Sequence, residues 1–212
     1  MARVLGGAWS VAGHQVVFGS RSAEKSRDIA KEIGLTATGG TNDDVAESCE
    51  VIVSTVRAVP SSFLKTTSAL MGKVIIDLNN RDFPREYKPE DFLNSLAVAT
   101  QKDVPSAKVI KALNNQAMEV FNCDAASLRE AGVQAFIAGD DEKAKQITVD
   151  LLDDLGLKAV DFGPLSNAWL LEVQADILRT YIFATGNARV TPGLIEAPRA
   201  EPRFGERRQG TY

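Results

Sequence analysis

Short β-branched runs alternate along the chain with segments of helical period, the pattern of successive βα units around a parallel sheet. The runs predict strands at Arg3 to Leu5, Gln15 to Gly19, Val51 to Thr55, Lys73 to Leu78, Val109 to Leu113, Ala135 to Ala138 and Lys158 to Asp161. Several are apolar without alternation, as from Val74 to Ile76, which suits strands covered by helices on both faces. Helical spacing predicts helices from Ala23 to Ile33, Asp43 to Ser48, Pro60 to Leu70, Gln116 to Val120 and Glu142 to Leu155. The longest runs from Ser166 to Thr185, with Trp169, Leu170, Val173, Ile177, Leu178 and Ile182 at helical spacing, so one face is committed to a core or to a second subunit. The expected fold is α/β: a doubly wound, mostly parallel, Rossmann-like sheet over residues 1–185, with a long C-terminal helix.

Residues 186–212 change character. Pro192, Pro198 and Pro202 and a group of arginines replace the aliphatic residues, so this stretch is expected to be an extended tail without a core of its own. Arg199, Arg203, Arg207 and Arg208 are interleaved with Glu196, Glu201 and Glu206, and the chain's net charge is -4. That balance argues against a nucleic-acid partner. No apolar stretch approaches the roughly 18 residues of a membrane span, and no secretory signal opens the sequence. The expected location is the cytoplasm, with no membrane partner.

The scarce residues limit the chemistry. Two cysteines, Cys49 and Cys123, and one histidine, His14, cannot build a zinc site from Cys and His alone. His14 sits in a Gly-His turn before a strand, a place for solvent rather than catalysis, and no catalytic residue is nominated. The strand from Gln15 ends in Gly19-Ser20-Arg21, with Lys25 at the start of the next helix. In a dinucleotide fold this tip meets the adenine ribose; an acid there selects NAD, whereas a hydroxyl with an arginine holds a 2′-phosphate.

The order Arg3-Val4-Leu5-Gly6-Gly7, Gly19-Ser20-Arg21, Gly139-Asp140-Asp141 and Gly163-Pro164-Leu165-Ser166-Asn167 resembles the NADP-dependent oxidoreductases of the deazaflavin (factor 420) reductase family. It is similar also to the oxidoreductase domain of the six-transmembrane metalloreductases. The resemblance spans residues 3 to 185 and implies NADP as cofactor, with Ser20 and Arg21 on the 2′-phosphate and Lys25 as a third donor. It sets Gly6 and Gly7 at the opening of the cofactor site. Thr55, Val56 and Arg57, Asn79 and Asn80, and Leu113 and Asn114 are placed along the cofactor, beyond the carboxyl ends of later strands.

One departure stands out. Only seven residues separate Gly7 from Gln15, whereas a parallel crossover takes at least about 10 to 12. The sequence therefore predicts a shortened first βα unit, without the Gly-x-Gly-x-x-Gly loop and with Ala8 to Ala12 as a remnant of the first helix. The implied function is hydride transfer between NADPH and a deazaflavin, flavin or similar small-molecule acceptor, by a homodimer. The alternative is an inactive NADP-binding or dimerising scaffold that has lost its phosphate loop.

Overall fold

The computed structural model describes residues 1–82, 88 and 94–198. In chain order the elements are α1 (Ala2–Val11), β1 (Val17–Ser20), α2 (Ala23–Ile33), β2 (Thr38–Thr41), α3 (Asn42–Ser48), β3 (Val51–Ser54), β4 (Val74–Asp77), α4 (Leu96–Asp103), β5 (Lys108–Lys111), α5 (Ala125–Glu130), β6 (Gln134–Gly139), α6 (Glu142–Asp154), β7 (Lys158–Asp161) and α7 (Ala168–Thr185). The arrangement is α/β, with strands mostly parallel and a long C-terminal helix. Arg199, Pro202, Arg203, Arg207 and Arg208 of the tail lie outside the described residues.

The strands form two sheets. β1 and β2 pair in parallel, and β3, β4, β5, β6 and β7 form a five-stranded sheet in that order. All pairs are parallel except β5 with β6. Both faces of the larger sheet carry cores, as its unbroken apolar strands predict. Leu5, Trp9, Ile76, Ile110 and Ile137 belong to one, and Leu70, Ile75, Ala97, Val109 and Leu165 to the other.

The first expected strand is corrected. Arg3 to Leu5 lies within α1, a helix of ten residues, so a whole first helix stands where a strand and a helix remnant were expected. Its buried residues Leu5, Gly6, Trp9 and Ser10 recur at helical spacing. Gly6 and Gly7 are helix residues rather than a phosphate loop. Gly6 is there because a Cβ would run into the Phe18 ring of β1.

Other departures are smaller. Thr38–Thr41, where no strand was expected, is β2; its Thr-Gly-Gly-Thr sequence has no apolar signal, and Gly39 is required because a Cβ would meet the α2 backbone at Ser26 and Arg27. The segment expected as a helix from Pro60 to Leu70 holds two separate 3₁₀ turns, Pro60–Ser62 and Ser68–Leu70. Gln116 to Val120 likewise gives way to a 3₁₀ turn at Met118–Asn122. Helices α4 and α5 were not anticipated.

Capping follows the local sequence. Ser22 caps α2 by accepting from the Lys25 N–H, Thr41 and Asp44 form a reciprocal capping box on α3, and Asp141 caps α6 through the Ala144 N–H. α7 ends at Gly186 in the left-handed conformation, φ 69°, a geometry glycine adopts without strain. Beyond it the described tail crosses β6, where Gln134 donates to the Leu194 carbonyl and accepts from the Leu194 N–H.

Candidate cofactor cleft

β3, β4 and β5 end at one cleft of about 310 Å³, to which Met1 at the head of α1 and Arg179 of α7 also contribute. Thr55, Arg57, Asn79, Asn80, Leu113 and Asn114, drawn from three separate strand ends, all line it. Val56 instead lines a second cavity, between β1 and β3. Met1, the N-cap of α1, lines the cleft and makes no side-chain capping bond, and the first turn of a helix favours an anion.

The three asparagines have different tasks. Asn79 is buried, and its Nδ2 donates to the Ser54 and Val56 carbonyls at 3.3 and 3.0 Å and to Asp77 Oδ2 at 3.1 Å. It is committed to holding the loop after β3. Asn80 and Asn114 join the ends of β4 and β5: Asn80 Nδ2 donates to the Asn114 carbonyl at 2.6 Å, and Asn114 Nδ2 donates to Asn80 Oδ1 at 2.8 Å. Asn114 Nδ2 also reaches the Leu171 carbonyl of α7 at 2.9 Å. Leu113, just before, is buried with φ 57°, a left-handed conformation that costs a bulky residue on the order of 1–3 kcal/mol.

Asn114 Oδ1, Asn115 Oδ1 and Gln116 Oε1 are buried and have no hydrogen-bond partner. All three residues line the cleft. A buried acceptor without a donor costs about 1–3 kcal/mol, so these side chains stand at the cleft with acceptors that no donor among the described residues meets.

Beneath the cleft is an ionic network that sequence reasoning missed. Lys111 of β5, completely buried, lies 2.9 Å from Asp77 of β4 and 3.0 Å from Glu172 of α7. Its ammonium also donates to the Asn79 carbonyl. Glu172 accepts from Ser95 Oγ at 2.8 Å and from the Arg81 N–H at 3.2 Å. One helical turn on, Asp176 holds the Arg81 guanidinium at 2.5 Å and Arg179 at 2.9 Å. The signal was a lysine inside the apolar run Val109-Ile110-Lys111-Ala112-Leu113, together with acids four residues apart on the buried side of α7. Charges in such places need partners.

The Gly-Ser-Arg tip is apart from the cleft, at the carboxyl end of β1. Ser20 Oγ donates to the Ser22 carbonyl at 2.7 Å and accepts from the Ser22 N–H and from Ser26 Oγ, which shapes the turn into α2. Arg21 and Lys25 are exposed, and neither forms an ion pair among the described residues. They remain available to an external phosphate.

The remaining candidates are peripheral. His14 pairs with Asp154 at 2.7 Å on the surface, tying the α1–β1 turn to α6. Cys49 and Cys123 are free, half-buried thiols. Among the described residues, no group of His, Cys, Asp and Glu could hold a metal ion, and no helix is long and apolar enough to cross a membrane.

The family model described as NADP oxidoreductase coenzyme F420-dependent matches residues 1–81. The F420-dependent NADP reductase of Methanothermobacter marburgensis is 27% identical over 185 residues, which cover 77% of this chain and 79% of that protein. The metalloreductase STEAP3 of Rattus norvegicus is 27% identical over 79% of this chain but only 32% of its own length. Among solved structures, a putative F420-dependent NADP-reductase from Arthrobacter sp. FB24 superposes with a TM-score of 0.73 at 24% identity, covering 88% of this chain and 91% of that one. An imine reductase from Bacillus cereus has a TM-score of 0.58 at 18% identity, covering 87% of this chain and 59% of that one, and supports the fold alone. By its family-model match and its curated relatives, the chain is similar to the coenzyme F420-dependent NADP oxidoreductases, the resemblance read from its motifs.

Proposed function

We propose that the chain binds NADP(H) across the carboxyl ends of its strands and exchanges hydride with a deazaflavin, flavin or similar acceptor. One observation carries this reading: Asn114, Asn115 and Gln116, each with a side-chain acceptor that lacks a donor, line a cleft that Met1 at the head of α1 also lines. In that cleft the carboxamide of the nicotinamide donates to the wall, and the helix terminus stabilises the pyrophosphate. Arg21 and Lys25 then attract the 2′-phosphate at the tip of β1. The cofactor supplies the hydride chemistry, and the protein's part is alignment and exclusion of water, so no acid–base residue is needed.

The test is calorimetric titration with NADPH beside NADH. NADPH is expected to bind roughly 10- to 100-fold more tightly, the range of one or two charge-assisted contacts to phosphate. A folded chain that binds neither nucleotide overturns the reading.

A second reading, a binding or dimerising scaffold without turnover, is favoured by the position of Gly6 and Gly7 inside a helix rather than in a loop. Turnover of NADPH with a deazaflavin, flavin or quinone rejects it. The same proposal includes a homodimer in the cytoplasm. α7 buries Leu171 and Ala175 while Ile177, Tyr181 and Phe183 are exposed, beside a tail that exposes Leu194 and Ile195. Such a face suits a second copy.

A further inference from the structure

The first turns of α7 hold the two loops that wall the cleft. The Leu171 carbonyl accepts from Asn114 Nδ2 at 2.9 Å, Gln174 Oε1 accepts from Asn115 Nδ2 at 2.5 Å, and between them Glu172 reaches the loop after β4. Asn79, Asn80 and Arg81 of that loop are each tied to a different group. The Asn79 carbonyl accepts from the Lys111 ammonium, Asn80 exchanges hydrogen bonds with Asn114 at 2.6 and 2.8 Å, and the Arg81 N–H donates to Glu172 Oε2 at 3.2 Å. Asn79, Asn80, Asn114 and Asn115 line the cleft, whereas Glu172 stands behind them, completely buried.

Glu172 accepts on both oxygens. Oε1 takes Lys111 Nζ at 3.0 Å and Ser95 Oγ at 2.8 Å, and Oε2 takes the Arg81 N–H. All three partners are donors, drawn from β5, the N-cap of α4 and the exit of β4. Only a carboxylate meets donors on both sides; a carboxamide of the same shape turns an NH2 group toward one of them. Placing that NH2 against Arg81 is the less costly choice, because the other side faces a buried ammonium. Position 172 therefore demands an acid for a local reason, and the group that an amide there would orphan is the Arg81 N–H, next to Asn80.

We propose that Glu172 is a positioning residue for the cleft: it sets the Asn79–Asn80 wall against the Asn114 wall by fixing the Arg81 backbone. The consequence for ligands rests on the reading of this cleft as the site of the nicotinamide half of NADP(H). In that reading the adenosine half binds at the Arg21 tip, apart from the cleft, so the two halves of the nucleotide respond differently to a displaced wall. Binding at the tip is untouched, and alignment at the ring end is lost.

The experiment has two readouts. Amide hydrogen exchange is followed at Arg81, with Ile76 of β4 as the internal reference, in the parent chain, Glu172→Gln and Ser95→Ala. Arg81 lies beyond the strand end, yet in the parent its N–H is expected to exchange at least roughly a hundredfold more slowly than a free amide. Glu172→Gln is expected to speed Arg81 at least roughly tenfold while Ile76 keeps its protection. Ser95→Ala, which removes a donor to the other oxygen, is expected to leave Arg81 unchanged. Fast exchange of Arg81 in the parent, or equal protection in Glu172→Gln, overturns the proposal. So does loss of protection at Ile76 as well, which makes Glu172 a general support of the fold.

The second readout is calorimetric titration with NADPH and with adenosine 2′,5′-bisphosphate, which carries the 2′-phosphate and no nicotinamide. Glu172→Gln is expected to weaken NADPH roughly 5- to 50-fold and to leave the bisphosphate within about twofold. Equal effects on both ligands, or none on NADPH, overturn the proposal. If the parent chain binds neither ligand, the nucleotide reading fails, and exchange at Arg81 alone decides whether Glu172 sets the wall.

Discussion

Lys111 and Glu172 meet at 3.0 Å with both side chains completely withdrawn from solvent. A charge pair from β5 and α7 thus fixes the helix to the sheet directly beneath the cleft. Lys111→Met leaves Asp77 and Glu172 buried together without their shared cation, and is expected to cost about 3–5 kcal/mol in urea unfolding. Glu172→Gln leaves Lys111 its Asp77 partner and is expected to cost clearly less. Equal losses in the two variants would show that the lysine does not bridge both acids.

Arg21 and Asn114 separate the two ends of the proposed nucleotide. Arg21→Ala is expected to weaken NADPH binding roughly 10- to 100-fold, the value of a charge-assisted phosphate contact, and to leave NADH unchanged. Asn114→Ala is expected to weaken both nucleotides alike. Calorimetric titration of the two variants with both nucleotides checks this, and an unchanged NADPH affinity in Arg21→Ala removes the tip from the site.

Asp141 links acid to stability. The backbone N–H of Ala144, followed by Lys108 nearby, holds its carboxyl below the usual carboxylate range. Its folded pKa lies below the unfolded one, so its contribution is complete above the unfolded value, near 3.8, and is lost as pH falls through the folded value. Unfolding by urea at pH 7 and at pH 3 is expected to show a smaller acid loss in Asp141→Asn than in the parent chain. An identical loss would mean that the α6 cap does not sense pH.

Gly39→Ala puts a methyl group into the α2 backbone at Ser26 and Arg27. Backbone cannot give way as a flexible side chain does, so the loss is expected to be about 1–3 kcal/mol, read as a lower thermal midpoint.

Ile177→Asp with Phe183→Asp, both on the exposed side of α7, is expected to convert a dimer to monomer in sedimentation. A parent chain that sediments as a monomer removes this interface.

Most of the sheet was legible because β3, β4, β5 and β6 are apolar runs. The first run was misread because Arg3-Val4-Leu5 is equally apolar in either conformation; Leu5 and Trp9, four residues apart, carried the helical signal. β2 was hidden because close approach to α2 demands glycine at Gly39, which erases the strand signature. At the cleft, Thr55, Arg57, Asn79, Asn80, Leu113 and Asn114 come together because strand ends converge in any such sheet. Lys111, Glu172 and Asp176 were missed: a lysine inside an apolar run signals a buried charge, but which acids meet it depends on tertiary packing that no local pattern reports.

Glu172 and Asp176 are one helical turn apart, and each meets a different cation, Lys111 and Arg81. An apolar helix face tolerates sliding, because one turn presents much the same grease as the next. Here a slip of one turn, about 5.4 Å, would set Asp176 against Lys111 and strand Arg81 without its carboxylate. The two pairs act as a key with two teeth: α7 has a single register on the sheet, and with it the Leu171 carbonyl that anchors Asn114 has a single position.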